Sequence, residues 1–220
     1  MTAPVSTAHL IENMQDARNR TLELVGDLDD EQLMGPKLPI VNPMRWEIGH
    51  VAFFYEYFIL HKLYGRESIL GATAARLYDS IAVNHEVRWD LPLPTMPETL
   101  SYMQDVFELL VERLDSGMAT EQDSFNYQFA IFHEDMHTEA FFWARQVLAY
   151  PTPKLAIAAD APPTPAAGPY GGWAEVPGGT FMLGADKDAP FLFDNEKWAH
   201  PVTIKPFEIA KAPVTNQEFQ

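Results

Sequence analysis

Residues 120–151 read TEQDSFNYQFAIFHEDMHTEAFFWARQVLAYP, and their reading decides the fold. Phe125, Phe129, Phe132, Met136, Ala140, Phe141, Ala144 and Leu148 recur at helical spacing, which predicts a long helix with these residues as its buried stripe. It starts around Thr120, and Pro151 ends it. Within it stands His133-Glu134-Asp135-Met136-His137. Two histidines at i and i+4 share one face, with Cβ atoms about 5–6 Å apart, the spacing at which two imidazoles grip one metal ion. Apolar flanks put the pair on or beside the buried stripe, where unpaired imidazoles are costly. Glu139 lies two residues past His137, about 200° around the helix, and points away from such an ion. Glu134 and Asp135 are expected to orient neighbours by hydrogen bonds.

Three more amphipathic segments precede this one. The first runs from Ser6 or Thr7 to Leu33, with Leu10, Met14, Ala17, Leu24 and Leu28 on one side. The second starts with Asn42 as N-cap and Pro43 at the first helical position, continues to about Tyr64, and stops at Gly65. The third begins near Pro97, carries Met103, Val106, Phe107, Leu110 and Val111, and ends before Gly117. Four such helices bury their stripes in a bundle spanning residues 1–150. Gly71–Pro97 is a long connection whose aromatic and charged content predicts an ordered loop.

A third metal ligand should come from another helix, and His50 is the best candidate. It sits mid-helix among Ile48, Val51, Phe53 and Phe54, directly after Gly49, which permits close backbone approach. His61, eleven residues on, is about 16 Å further along the axis and reads as structural. His85 is a possible neighbour of the site from the long loop. Three neutral imidazoles leave zinc one water, or six-coordinate ferrous iron three open positions; ligand type alone does not choose. Tyr55, Tyr57, Tyr78 and Trp89 are candidates for an aromatic cage around a cationic ligand group.

Composition limits the rest. With 15 Lys+Arg against 31 Asp+Glu among 220 residues, the net charge is −16, which disfavours nucleic acid and anionic membranes as partners. The absence of cysteine excludes disulfides, zinc fingers and thiol nucleophiles from this chain. The first residues lack a signal-peptide layout, and Val51–Leu60 is too short to span a bilayer, so a cytoplasmic protein is expected. Residues 151–172 hold six of the 18 prolines and read as an extended linker. Beyond it, Trp173–Val176, Thr180–Leu183, Val202–Ile204 and Phe207–Ala210 read as strands, and Thr215 with Glu218 as a capping box opening a helix. Residues 173–220 are too few for a complete core, which predicts that they begin a larger domain extending past Gln220.

The constellation W-E-I-G-H ending at His50, H-x-x-x-H-x-E at His133–Glu139, a linker, then V-P-G-G-T-F-M-L-G, D-N-E, H-P-V, F-E-I and P-V-T-N-Q-E-F resembles the ergothioneine-biosynthesis sulfoxide synthases. The resemblance implies an α+β multidomain protein: an N-terminal DinB-like four-helix bundle followed by the start of a formylglycine-generating-enzyme-like (C-type-lectin-like) α/β domain. It implies His50, His133 and His137 as ligands of a mononuclear non-heme iron(II). It also implies a reaction joining sulfur or selenium to imidazole C2 of hercynine, with dioxygen as oxidant. Forming C–S from C–H and S–H removes two electrons, sulfoxide formation removes two more, and one dioxygen accepts all four. Arg88 falls where family members bind the carboxylates of the thiol donor, and a guanidinium suits that task. Met136 stands where many members have a Gln that helps hold the trimethylhistidine. The loop RLYDSIAVNHEVRWDLPLP is also poorer in arginine than loops accepting γ-glutamylcysteine. Both departures favour the related selenoneine synthases, whose donor is a neutral selenosugar. Catalytic residues, including a tyrosine near the iron, are expected beyond Gln220. The alternatives are a zinc-dependent DinB-like thiol transferase or hydrolase, and a non-catalytic ligand-binding module.

Overall fold

The computed structural model describes residues 4–159, 171–189 and 191–220. The chain divides into two compact units, with the boundary at Asp160 and Ala161. The first contains α1 (Thr7–Val25), α2 (Asp30–Met34), α3 (Met44–Tyr55), α4 (Ala72–Tyr78), α5 (Met96–Asp115) and α6 (Glu121–Val147). The long helices α1, α3, α5 and α6 form the expected bundle, with α1 packed chiefly on α6, and α3 on both α5 and α6. Leu10, Met14, Ala17, Ile48, Val51, Val106, Leu110, Tyr127, Ala130 and Phe141 are fully buried between them. Each large apolar side chain so removed from water contributes about 1.5–3 kcal/mol. Among the described residues, no helix is long and apolar enough to cross a membrane.

Several boundaries differ from the sequence reading, each for a local reason. The first helix does not reach Leu33. It ends at Gly26, and α2 restarts at an Asp29 capping box, in which Asp29 accepts from Gln32 N–H (2.8 Å) and Gln32 Oε1 accepts from Asp29 N–H (3.0 Å). Asn42 is not the N-cap of α3; Pro43 holds that position, and Asn42 Nδ2 instead donates to Glu47 Oε1 at 2.6 Å. Past Tyr55 the same helix continues as a π-helical turn, Glu56–His61, with Lys62 N–H reaching Tyr57 C=O. Gly65 adopts φ 67° and closes the segment by donating to His61 C=O. The Gly71–Pro97 connection contains α4 and a 3-10 turn, His85–Val87, and so is partly helical. Thr95 caps α5 one residue earlier than expected, through a capping box with Glu98.

The largest correction concerns α6. Its buried face carries Tyr127, Ala130, Ile131, Glu134, Thr138, Phe141 and Ala144, whereas Phe125, Phe132 and Met136 are exposed. Phe141 and Ala144 of the expected stripe are on the buried face, so the helical period was read partly on this face and partly on a second apolar one. The buried face tolerates Glu134 because Arg18 of α1 meets it there: Arg18 Nε lies 3.0 Å from Glu134 Oε1, which also accepts from Thr21 Oγ1 at 2.9 Å.

Of the expected linker, residues 160–170 lie outside the described residues. Its first part stays with the bundle: Ala156 N–H donates to Glu23 Oε2 (3.0 Å), and Pro151 C=O accepts from Arg145. In the second unit, β1 (Trp173–Val176) pairs antiparallel with β4 (Phe207–Ala210), and β2 (Gly179–Leu183) with β3 (His200–Ile204). The register sets Val176 against Phe207, and Gly179 against Ile204. Thr180 and Thr203 share a hydroxyl hydrogen bond of 2.8 Å across the second ribbon. The capping box of Thr215 and Glu218 opens α7 (Asn216–Phe219), as its sequence predicts.

Candidate metal centre

Helices α3 and α6 bring His50, His133 and His137 together. One ring nitrogen from each lies within 4.8 Å of the others. Ring centroids are 5.1 Å apart for His50 and His133, 5.0 Å for His50 and His137, and 4.6 Å for His133 and His137. Among the described residues this is the one group of three or more potential ligands gathered around a common point.

His50 is held through its second ring nitrogen. His50 is 6% exposed, and its Nδ1 lies 2.7 Å from Tyr78 C=O. A carbonyl only accepts, so Nδ1 carries the proton and Nε2 keeps its lone pair for the centre. Trp46 stacks on the same imidazole, with 4.9 Å between centroids and 8° between planes, and its Nε1 donates to Leu77 C=O at 2.6 Å. Leu77 and Tyr78 end α4, where carbonyls have no partner within the helix, and the side chains of Trp46 and His50 satisfy them. Gly49 makes this fit possible, since Tyr78 packs where any larger residue's Cβ would lie. Phe54 stacks on His133 at 3.6 Å and 8°.

Burial, reinforced by the neighbouring imidazoles, lowers the pKa of His50 to about 4 and that of His133 to about 2. Both rings are therefore neutral near pH 7 and able to donate lone pairs. Nδ1 of His133 and Nδ1 of His137 are buried without a hydrogen-bond partner. Three converging imidazoles, two with an unpartnered buried nitrogen, are costly as an apolar core and fit a cation. The donor set suits zinc or ferrous iron.

Other candidates lie elsewhere. Arg88 stands behind Trp46, with its guanidinium carbon 3.8 Å from the ring centroid. Its Nη1 donates to Asn42 Oδ1 (2.7 Å) and its Nη2 to Val83 C=O (3.2 Å), so the fork expected to meet a substrate carboxylate is already engaged. Met136 is 49% exposed, on the α6 face beside the histidines. Glu139 is exposed, as its angular position requires. Glu134 turns into the bundle towards Arg18, and Asp135 pairs with Arg20 at 2.6 Å. His61 bonds Arg66 C=O within its own turn (3.0 Å). His85 binds Val41 C=O (2.6 Å) and packs on Trp89, away from the three-histidine cluster.

The proposed aromatic cage does not form. Tyr55 lies in the core against Arg18, Tyr57 stacks on Phe53 and His61, Tyr78 stacks on Tyr102, and Trp89 donates to the carbonyls of Met34 and Gly35. These four rings sit on different helix faces, so no single cation could touch them all. Sequence reasoning missed Trp46, Glu47, Asn42 and α4. The signal available was W-E-I-G-H itself: an acidic residue three positions before a histidine in an apolar helix shares its face.

Known proteins resemble this chain along both of its parts. Residues 13–141 match the DinB superfamily, and residues 158–220 the sulfatase-modifying factor enzyme 1-like domain. The hercynine oxygenase of Mycolicibacterium smegmatis is 32% identical over 96% of this chain and 49% of its own length. That of Mycolicibacterium thermoresistibile is 33% identical over 97% of the chain and 47% of its own. That of Mycobacterium tuberculosis is 34% identical over the whole chain and 51% of its own. The chain thus spans about half the length of these relatives.

Proposed function

This chain belongs to the DinB superfamily and, with the segment that follows its bundle, to the hercynine-oxygenase-like family, and from that premise we propose that it supplies the three-histidine metal site of an oxygen-dependent enzyme acting on hercynine. The observation that carries this reading is the convergence of His50, His133 and His137, with one ligand nitrogen each inside 4.8 Å. In this reading they hold a ferrous ion. That ion, when bound, supplies dioxygen activation and a common coordination sphere for the reactants. Forming the carbon–chalcogen bond and oxidising the chalcogen together remove four electrons; one oxygen atom ends on the chalcogen and the other leaves as water.

The chain's own residues orient and shield. Tyr78 C=O fixes the His50 tautomer, Trp46 and Phe54 wall the imidazoles with apolar rings, and burial keeps His50 and His133 neutral. Met136, at the exposed edge of the cluster, is proposed to contact the hercynine side of the substrate complex. The donor is proposed to be a selenosugar in preference to a thiol. Arg88, the cation that the resemblance offers for donor carboxylates, has both terminal nitrogens engaged, and a neutral donor needs no such cation. The units are proposed to serve as a ligand-bearing bundle (1–150), a linker (151–172) and the start of a formylglycine-generating-enzyme-like domain (173–220), with the remaining catalytic groups beyond Gln220. Location in the cytoplasm is part of the same proposal.

The test is anaerobic purification of the full-length protein, metal analysis, and dioxygen uptake on adding hercynine with γ-glutamylcysteine, cysteine and a selenosugar in competition. Iron near one per chain, with hercynine-dependent uptake and a selenium-containing product, supports the reading. Zinc at full occupancy with no uptake selects a zinc-dependent transferase or hydrolase instead. Metal content unchanged in His50→Ala and His133→Ala selects a non-catalytic module.

A further inference from the structure

Beside His137 lies a carboxylate with no evident reason to be buried. Glu47 is 4% exposed, on α3, in the turn before His50. Its Oε1 accepts from Asn42 Nδ2 at 2.6 Å, and its Oε2 lies 3.4 Å from His137 Nδ1. That nitrogen is buried and has no aligned hydrogen-bond partner. Asn42 is held in turn: its Oδ1 accepts from Arg88 Nη1 at 2.7 Å, while the same guanidinium lies over Trp46, the ring stacked on His50. A buried carboxylate far from cations is expensive, and here its neighbours are one amide, one imidazole and the Arg88 charge.

We propose that Glu47 is the positioning residue of the metal centre: it takes the Nδ1 proton of His137 as a hydrogen bond, and Asn42 and Arg88 hold it there. The inference rests on the three-histidine reading. A carboxylate on Nδ1–H fixes the ring's tautomer so that Nε2 faces the ion, and makes that nitrogen a stronger donor. His50 has a backbone carbonyl in this role, whereas His137 has Glu47. The arrangement also explains Arg88: one guanidinium supports two of the three ligands, His137 through Asn42 and Glu47, and His50 through Trp46. The 3.4 Å contact is longer than a finished hydrogen bond, so a small ring rotation would complete it.

The test is equilibrium binding of cobalt(II) to the full-length protein, read by competition with a chelator and by the visible absorption of the bound ion. Wild type is compared with Glu47→Gln, Glu47→Asp, Arg88→Ala and His137→Ala. Glu47→Gln should weaken affinity about 10–100-fold and alter the absorption bands. Glu47→Asp should recover part of the loss, Arg88→Ala should weaken binding less than Glu47→Gln, and circular dichroism should report folded protein throughout. Cobalt bound to wild type and Glu47→Gln with equal affinity and identical spectra overturns the proposal while leaving the histidine site standing. Absence of binding to wild type overturns the site itself and the proposal with it. If Glu47→Gln proves unfolded, Asn42→Ala, which frees the carboxylate without removing it, must show the same direction of change.

Discussion

Gly49 and Tyr78 are in direct contact across α3 and α4: a Cβ on Gly49 would lie 2.2 Å from Tyr78 Cε1 and 2.7 Å from its Oη. The same tyrosine offers its backbone carbonyl to His50. One glycine hydrogen therefore sets how near the short helix can come to His50, and the tautomer of that ring depends on the approach.

Gly49→Ala is expected to push the Tyr78 ring outward and stretch or break the His50 Nδ1–carbonyl bond. Overpacking of this kind costs about 1–3 kcal/mol. Urea denaturation measures that cost, and metal binding should weaken in the same variant. Unchanged stability together with unchanged metal affinity would show that α4 moves freely and does not orient His50.

The buried pair of Arg18 and Glu134 gives the second prediction. Glu134→Ala leaves the Arg18 guanidinium, on a residue only 3% exposed, without its counter-charge. Breaking one side of a buried pair costs about 3–5 kcal/mol, whereas replacing both partners by apolar residues is far milder. The double variant Arg18→Met/Glu134→Leu should therefore be more stable than Glu134→Ala alone, and thermal melts of the two decide it.

Acid should act at the α1–α6 junction. Arg145, 2% exposed, holds Asp27 by two bonds of 2.7 and 2.9 Å, and this contact keeps the Asp27 carboxyl below its ordinary pKa. A depressed folded pKa means that the stabilisation is fully present above the unfolded value near 3.9. It is lost as pH falls through the lower folded value. Asp27 is half exposed, so the loss is about 1 kcal/mol or less. Stability curves of wild type and Asp27→Asn should differ at pH 7 and converge in acid once the carboxyl is protonated in both states; parallel curves would show that another group carries the acid sensitivity.

Metal removal should lower stability through mass action. A ligand at a hundredfold excess over its Kd raises the unfolding free energy by about 2.7 kcal/mol. Wild-type protein should thus melt higher with ferrous ion under anaerobic conditions than with a chelator. His50→Ala, His133→Ala and His137→Ala should each lose the difference. A full metal-dependent rise in any of the three would remove that histidine from the ligand set.

The bundle was legible because its signals are local. Helical spacing marked α5 and α6, Pro151 the end of α6, and Thr215 with Glu218 the start of α7. His50, His133 and His137 were recoverable for the same reason, since i,i+4 spacing fixes one pair and an apolar setting singles out the third. The face of α6 was legible only in part. Phe141 and Ala144 are buried as expected, but Phe125, Phe132 and Met136 follow the helical period as faithfully as Tyr127 and Ala130 do, and the period is blind to which stripe meets α1. Helix α4 was hidden in a segment whose length and composition resemble an ordered loop.

The amino-acid order by itself determined that long amphipathic helices come first, which histidines share a face, and that two kinds of domain follow one another, because caps, periodicity and turn residues act over a few positions. Only the tertiary structure decided that Glu47 stands beside His137, that Arg88 stacks on Trp46 instead of opening to solvent, and that the α4 carbonyls hold Trp46 and His50. Those relations join residues far apart in the chain. They are fixed by how the helices pack around Arg18 and Glu134 and how closely Tyr78 can approach Gly49, and no run of neighbouring residues encodes either distance.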